Sequence, residues 1–394
     1  MRLRLRSRLA LAVLTTLMAS SPAWAEEGVT ADRILLGQVA ALDGPSAALG
    51  QAMRQGLLAA FAEANRSGGI KGRRLDLVSL DDGYDPNESI AATRHLIEDD
   101  KVFALIGAVG TPTSVATQPL AEEAGVPFIG AFTGAPFLRD PGKANVVNVR
   151  ASYLQETETM VERLTKDLGV KRIAIFYQDD TYGRAGLAGL QLALSKRDLH
   201  VAAEGTYERN TTAVKAALLA IRNARPEAVI MIGTYRPCAE FIKLARAIDF
   251  NPVFVNISFV GSEALAKELG PAGAGVVVTQ VVPFPDDVSL PVIAHFRSAL
   301  KAVEPDAEPG FVSLEGYIAG RLMVMALNRV EGEVTREALL NIFARGAEFD
   351  LGGIDLKYGP GDNQGSDEVF LTVLGPDGRF KPISNLTAAA VWGG

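Results

Sequence analysis

The 394-residue chain carries 39 lysines and arginines against 46 aspartates and glutamates, a formal net charge of −7. An acidic chain is a poor partner for nucleic acid or an anionic membrane surface, so neither is expected as a partner. Cys238 is the only cysteine, which excludes an intrachain disulfide, and the three histidines are scattered away from any cluster with metal-ligand spacing. No metal and no cofactor is expected.

In chain order, residues 1–25 read as a secretory signal. Arg2, Arg4, Arg6 and Arg8 form a basic start, and residues 9–18 are apolar but too short to cross a bilayer core of roughly 30 Å. Ala23-Trp24-Ala25 fits a small-x-small cleavage site, so cleavage after Ala25 and delivery to the periplasm are expected. The remainder is longer than one hydrophobic core fills, which predicts two lobes. Short apolar or β-branched runs at 34–40, 75–80, 102–109, 127–132 and 146–149 alternate with helical patterns at 47–65, 87–99 and 114–124. Such alternation predicts parallel strands with right-handed crossovers, an α/β, doubly wound sheet.

The pattern restarts with strands expected at 173–177, 201–207, 228–232, 253–257 and 276–282, and helices at 183–194, 211–223, 237–248 and 262–269. The tail differs. Helices at 290–303, 312–330 and 336–343 precede strand-like stretches at 349–358 and 368–374 and a Gly-Pro-Asp-Gly turn. Consecutive helices cannot extend the second sheet by simple alternation, so the chain is expected to recross near Val282 and return near Phe349. The expected division is residues 26–149 with 283–347 in the first lobe, and 150–282 with 348–394 in the second. Three crossings, near Arg150, Val282 and Glu348, would join two doubly wound lobes with a ligand cleft between them.

Catalytic signatures are weak. Ser298 to Lys301 matches S-x-x-K but sits in the middle of a predicted helix without supporting motifs. Gly44 to Gly50 opens a helix after a strand, yet Gln51 stands where a phosphate loop needs lysine. No enzyme is expected; an exported hydrolase is the rival, and no histidine lies at a predicted strand end to serve it. Ligands of open α/β sheets sit beyond the carboxyl ends of the strands. The first lobe presents Leu49, Thr111, Pro112, Thr113, Phe132, Thr133 and Gly134 there. The second presents Tyr182, Tyr235, Arg236, Ser258 and Phe259, and Tyr153 past the first crossing completes the candidate ligand-binding set. Thr111 and Thr113 could merely cap their helix, or the free N–H groups and hydroxyls of the helix start could receive an anion.

Several stretches carry a resemblance: LDGPSAALG after the first strand, NRSGGIKGRRLDLVSLDDGYDP, LIGAVGTPTSVATQP, GVPFIGAFTGAP, RIAIFYQDDTYG and VSLEGYIAG. From about residue 34 to 381 the chain resembles the leucine/isoleucine/valine-type periplasmic binding proteins of ABC importers, the type I two-lobed fold. The resemblance implies a monomeric solute-binding component that closes on a small molecule and is met by an inner-membrane permease complex; a sensor partner for a membrane receptor is the alternative. It also implies that Thr111 binds a ligand carboxylate, with Leu49, Phe132, Thr133, Gly134, Tyr182 and Tyr235 around it. Three departures stand out. The acid that amino-acid binders place after the strand ending at 257 is missing, the region reading Asn256-Ile257-Ser258-Phe259. Gly134 replaces a threonine, with Thr133 beside it, and the family's disulfide positions are Tyr84 and Gly110. A buried ammonium without a carboxylate costs several kcal/mol. An apolar or aromatic carboxylate, or an amide, is therefore favoured over an amino acid.

Overall fold

The computed structural model describes residues 26–387, so the signal reading at 1–25 lies outside the described residues. The first half runs β1 (Arg33–Ala40), α1 (Ala47–Arg66), β2 (Arg74–Asp81), α2 (Pro86–Arg94), β3 (Ala104–Ile106), α3 (Thr111–Glu123), β4 (Phe128–Ile129) and β5 (Val146–Val147). Its five strands are all parallel, in the order β2-β1-β3-β4-β5. β1 is buried along all but its first residue, as expected of a central parallel strand covered on both faces.

The second half runs α4 (Tyr153–Leu168), β6 (Ile173–Gln178), α5 (Thr181–Ser195), β7 (Val201–Tyr207), α6 (Lys215–Asn223), β8 (Ala228–Ile232), α7 (Tyr235–Ala247), β9 (Val253–Asn256), α8 (Ser262–Leu269) and β10 (Val277–Gln280). A Ser152/Gln155 capping box opens α4, and Gly169 closes it in the left-handed conformation. Three helices follow: α9 (Pro291–Val303), α10 (Phe311–Arg329) and α11 (Arg336–Ala344). α9 and α10 return to pack on α1. β11 (Ala347–Asp350) and β12 (Asp355–Tyr358) pair with each other as a separate ribbon, and β13 (Phe370–Leu374) and β14 (Phe380–Ile383) add an antiparallel edge to the second sheet. That sheet is ordered β14-β13-β10-β9-β8-β6-β7.

Local differences from the sequence reading have physical causes. The expected 349–358 strand breaks at Gly352 and Gly353, both at positive φ, where Asp350 caps the turn through their N–H groups. The helix expected from Ser114 begins at Thr111, because Pro112 is well placed in a first helical turn. Beside the first crossing the Asn148 N–H donates to Asn363, and the Gly365 N–H donates to Asn148. Strand order reverses at β1/β3 and at β6/β8, so each half has its topological switch point, and the loops there face one another.

Candidate functional site

Three hydroxyls meet at the start of α3. Thr111 and Thr133 place their Oγ1 atoms 2.7 Å apart, and Thr133 Oγ1 donates to the Tyr153 hydroxyl at 3.3 Å. All three residues are buried. Burial raises the Tyr153 phenol above its ordinary value in spite of the neighbouring Arg150, so the hydroxyl stays protonated and able to donate. Thr111 belongs to one half and Tyr153 to the helix that begins the other.

Aromatic rings close over this point. Phe259, carried past β9, stacks on Phe132 at 5.0 Å between centroids and lies 4.7 Å from Tyr182 and 6.2 Å from Tyr84. Tyr182 also packs on Tyr153 at 5.5 Å, and its hydroxyl donates to the Gly233 carbonyl at 3.4 Å. Tyr235 accepts from the Ala48 N–H at 3.5 Å, and a Cβ on Gly261 would lie 2.4 Å from Leu49. Asn210 donates to the Gly83 carbonyl at 3.0 Å and Gln178 to the Tyr84 hydroxyl at 3.3 Å. The two halves are therefore in contact across the cleft, with an apolar wall of rings on one side of the hydroxyls.

Thr111, Phe132, Thr133, Tyr153, Tyr182 and Phe259 are thus brought together, while Leu49 and Tyr235 meet at Gly261, two residues past Phe259. Thr113 is not free: its hydroxyl donates back to the carbonyls of Val109 and Gly110, and no side chain caps the helix start. Pro112 supplies helix geometry at the second helical position. Gly134 makes room rather than contact, since a Cβ there would lie 2.5 Å from the Tyr153 ring. Arg236 turns outward; its side chain is 47% exposed and pairs with Glu268 at 3.6 Å. Ser258 faces a charged cluster: its N–H and hydroxyl donate to Glu156 at 3.0 and 2.9 Å, and it accepts from Arg150.

That cluster was not legible as a site. Arg150, expected only as a crossing point, is fully buried, donating to Glu156 at 3.0 Å and lying 3.5 Å from Glu315 on α10. Its guanidinium carbon stands 5.1 Å from the Phe132 ring centroid. Burial pulls this guanidinium down, but Glu315 and Glu156 more than offset it and hold it above its ordinary value. Burial pushes Glu315 up to about 7 despite Arg150. Glu156 already receives Arg150, Ser258 twice and Thr279. The available signal was a lone charge inside apolar runs: Arg150 after Val146–Val149, and Glu315 within residues 311–320. Tyr84 accounts for the disulfide positions, because its ring covers Gly110 so closely that a Cβ there would lie 2.3 Å away.

Residues 33–379 match the model of the periplasmic binding protein family. A Leu/Ile/Val-binding protein homolog from Brucella suis is 25% identical over 394 residues, covering 95% of each chain. A possible leucine/isoleucine/valine-binding protein from Rhodopirellula baltica has 39% identity and a TM-score of 0.86 over 90% of this chain and 97% of that one. A substrate-binding periplasmic protein from Ralstonia solanacearum has 30% identity and a TM-score of 0.82, over 89% and 100%. The chain belongs to the periplasmic binding protein family, with the type I fold and relatives named for leucine, isoleucine and valine binding.

Proposed function

We propose that this chain captures a small carboxylate with an apolar or aromatic body between its two lobes and presents it, as a monomer in the periplasm, to an inner-membrane permease complex. The carrying observation is the buried hydroxyl set of Thr111, Thr133 and Tyr153 at the start of a 13-residue helix. A helix N-terminus offers partial positive charge and N–H groups, and hydroxyls add neutral donors that a carboxylate can accept from. The rings of Phe132, Tyr182 and Phe259 supply the apolar wall beside it.

The magnitudes are sufficient. Charge-assisted hydrogen bonds contribute about 1.5–3 kcal/mol each, and micromolar affinity needs roughly 8 kcal/mol. Two or three such bonds with burial of one ring or branched chain reach it. The relatives named for leucine, isoleucine and valine binding support a ligand of this size and carboxylate character. Residues 26–149 with 283–347 would form one jaw and 150–282 with 348–394 the other.

Thr111→Val keeps the shape and removes one hydroxyl. In calorimetric titrations with leucine, 4-methyl-2-oxopentanoate and phenylpyruvate, it is expected to weaken the carboxylates that bind wild type by at least tenfold, with an unchanged circular dichroism spectrum. Undiminished affinity in this variant would remove the α3 start from the site.

A further inference from the structure

A charged group with unused donors sits beside the hydroxyl set. The Nε of Arg150 has no hydrogen-bond partner among the described residues, and its Nη1 comes only within 3.5 Å of Glu315. A buried charged donor left unmade is costly, so its persistence asks for an acceptor. The guanidinium carbon lies 5.1 Å from the Phe132 ring and 5.9 Å from the Tyr153 ring. Phe132 precedes Thr133 in the chain, and Tyr153 accepts the Thr133 hydroxyl bond, so Arg150 borders the place where the carboxylate is proposed to dock.

The charge balance of the cluster points the same way. Arg139, partly buried, adds a second guanidinium whose bonds go to the neutral oxygens of Gln364, Thr133, Ala135 and Arg150. Burial and the nearby Arg150 lower it to about 9, which leaves it charged at neutral pH. Opposite them stand Glu156, whose lone pairs are filled by four donors, and Glu315, which burial pushes up to about 7. Two guanidiniums thus face two carboxylates, one of them saturated and the other 3.5 Å from Arg150, so no unpaired negative charge is left for an ammonium. An ammonium placed here would meet a cation and no saturable carboxylate except Glu315, which already faces Arg150.

We propose that Arg150 makes the cleft select 2-oxo carboxylates with a branched or aromatic side chain over the matching amino acids, its free Nε–H donating to the oxygen that stands where an amino acid carries its ammonium. This rests on the carboxylate reading above and adds the identity of the neighbouring group. The rival is that Glu315 uses its spare lone pairs to hold an ammonium.

Calorimetric titration of the protein at pH 7.5 compares 4-methyl-2-oxopentanoate with leucine and phenylpyruvate with phenylalanine. Each oxo acid is expected to bind at least tenfold tighter than its amino acid; equal or weaker binding overturns the proposal while leaving the carboxylate site standing. Arg150→Lys keeps the charge and loses Nε, and is expected to cost the oxo acids about tenfold while changing amino-acid affinity little. Because that variant removes part of a buried network and could fail to fold, Glu315→Gln provides a second reading. It is expected to retain or tighten oxo-acid binding, whereas selective loss of amino-acid binding overturns the proposal in favour of Glu315. If none of the four compounds binds, the carboxylate reading itself falls.

Discussion

Single residues in this protein hold one another in place through exclusion as much as through bonding. Gly134 leaves the space that the Tyr153 ring fills, and Tyr153 in turn donates its backbone N–H to the Gly134 carbonyl at 2.7 Å. Gly134→Ala is expected to push Tyr153 off Thr133, lowering stability by about 1–3 kcal/mol and carboxylate affinity at least tenfold; urea unfolding and calorimetry check the two effects separately. Titration is also set residue by residue. Burial raises Asp82 to about 6 and Glu315 to about 7, from ordinary values of 3.8 and 4.5. A carboxylate whose folded value is raised keeps its proton longer when folded, so the stability it contributes at low pH is lost as pH climbs from about 4 to 7. The unfolding free energy from urea titration is therefore expected to be higher at pH 6 than at pH 8, and Glu315→Gln should shrink that difference by roughly 1–2 kcal/mol. The expectation that Thr113 and Arg236 reach a ligand rested on position alone, and the structure spends both locally, on carbonyls and on Glu268.

Among elements, the crossing of α1 and α10 decides where Glu315 stands. A Cβ on Gly56 would lie 2.0 Å from the Ser313 carbonyl oxygen, and one on Gly316 would lie 2.3 Å from that of Met53. Two glycines thus let the helices approach until backbone meets backbone, and the residue beside Gly316 is the one facing Arg150. Gly316→Ala is expected to cost about 2–4 kcal/mol in chemical unfolding, since the neighbour that must yield is main chain. It should also shift the pH dependence of stability, because Glu315 moves with the helix. Strands were legible in the sequence wherever burial on both faces made them continuous, as in β1, β6 and β8. The helix starts at Thr111, three residues ahead of the apolar periodicity, because hydroxyl and proline residues look like loop until the helix turns on them.

At the scale of the molecule, the rings on the second half reach residues of the first, and Phe259 meets both Tyr84 and Phe132. Around the crossings, Val149, Val281, Val282, Pro283 and Ile354 border a cavity of about 340 Å³, which leaves the connecting strands room to flex. Phe259→Ala is expected to shift the unliganded protein toward an open arrangement, seen as a larger radius of gyration in solution scattering. An unchanged radius would mean that other contacts, such as Asn210 with Gly83, hold the halves together.

The sequence by itself determined the alternation of strands and helices, the parallel core of each sheet and the loops that carry the cleft, because periodicity and turn residues act locally. It also placed Thr111, Thr133, Tyr182 and Phe259 at strand ends, where such sheets meet ligands. Only the tertiary structure decided that Arg150, Glu156, Ser258, Thr279 and Glu315 form one buried cluster. Their positions span residues 150 to 315, and charge pairing between residues so far apart depends on how the lobes pack, which no local pattern encodes.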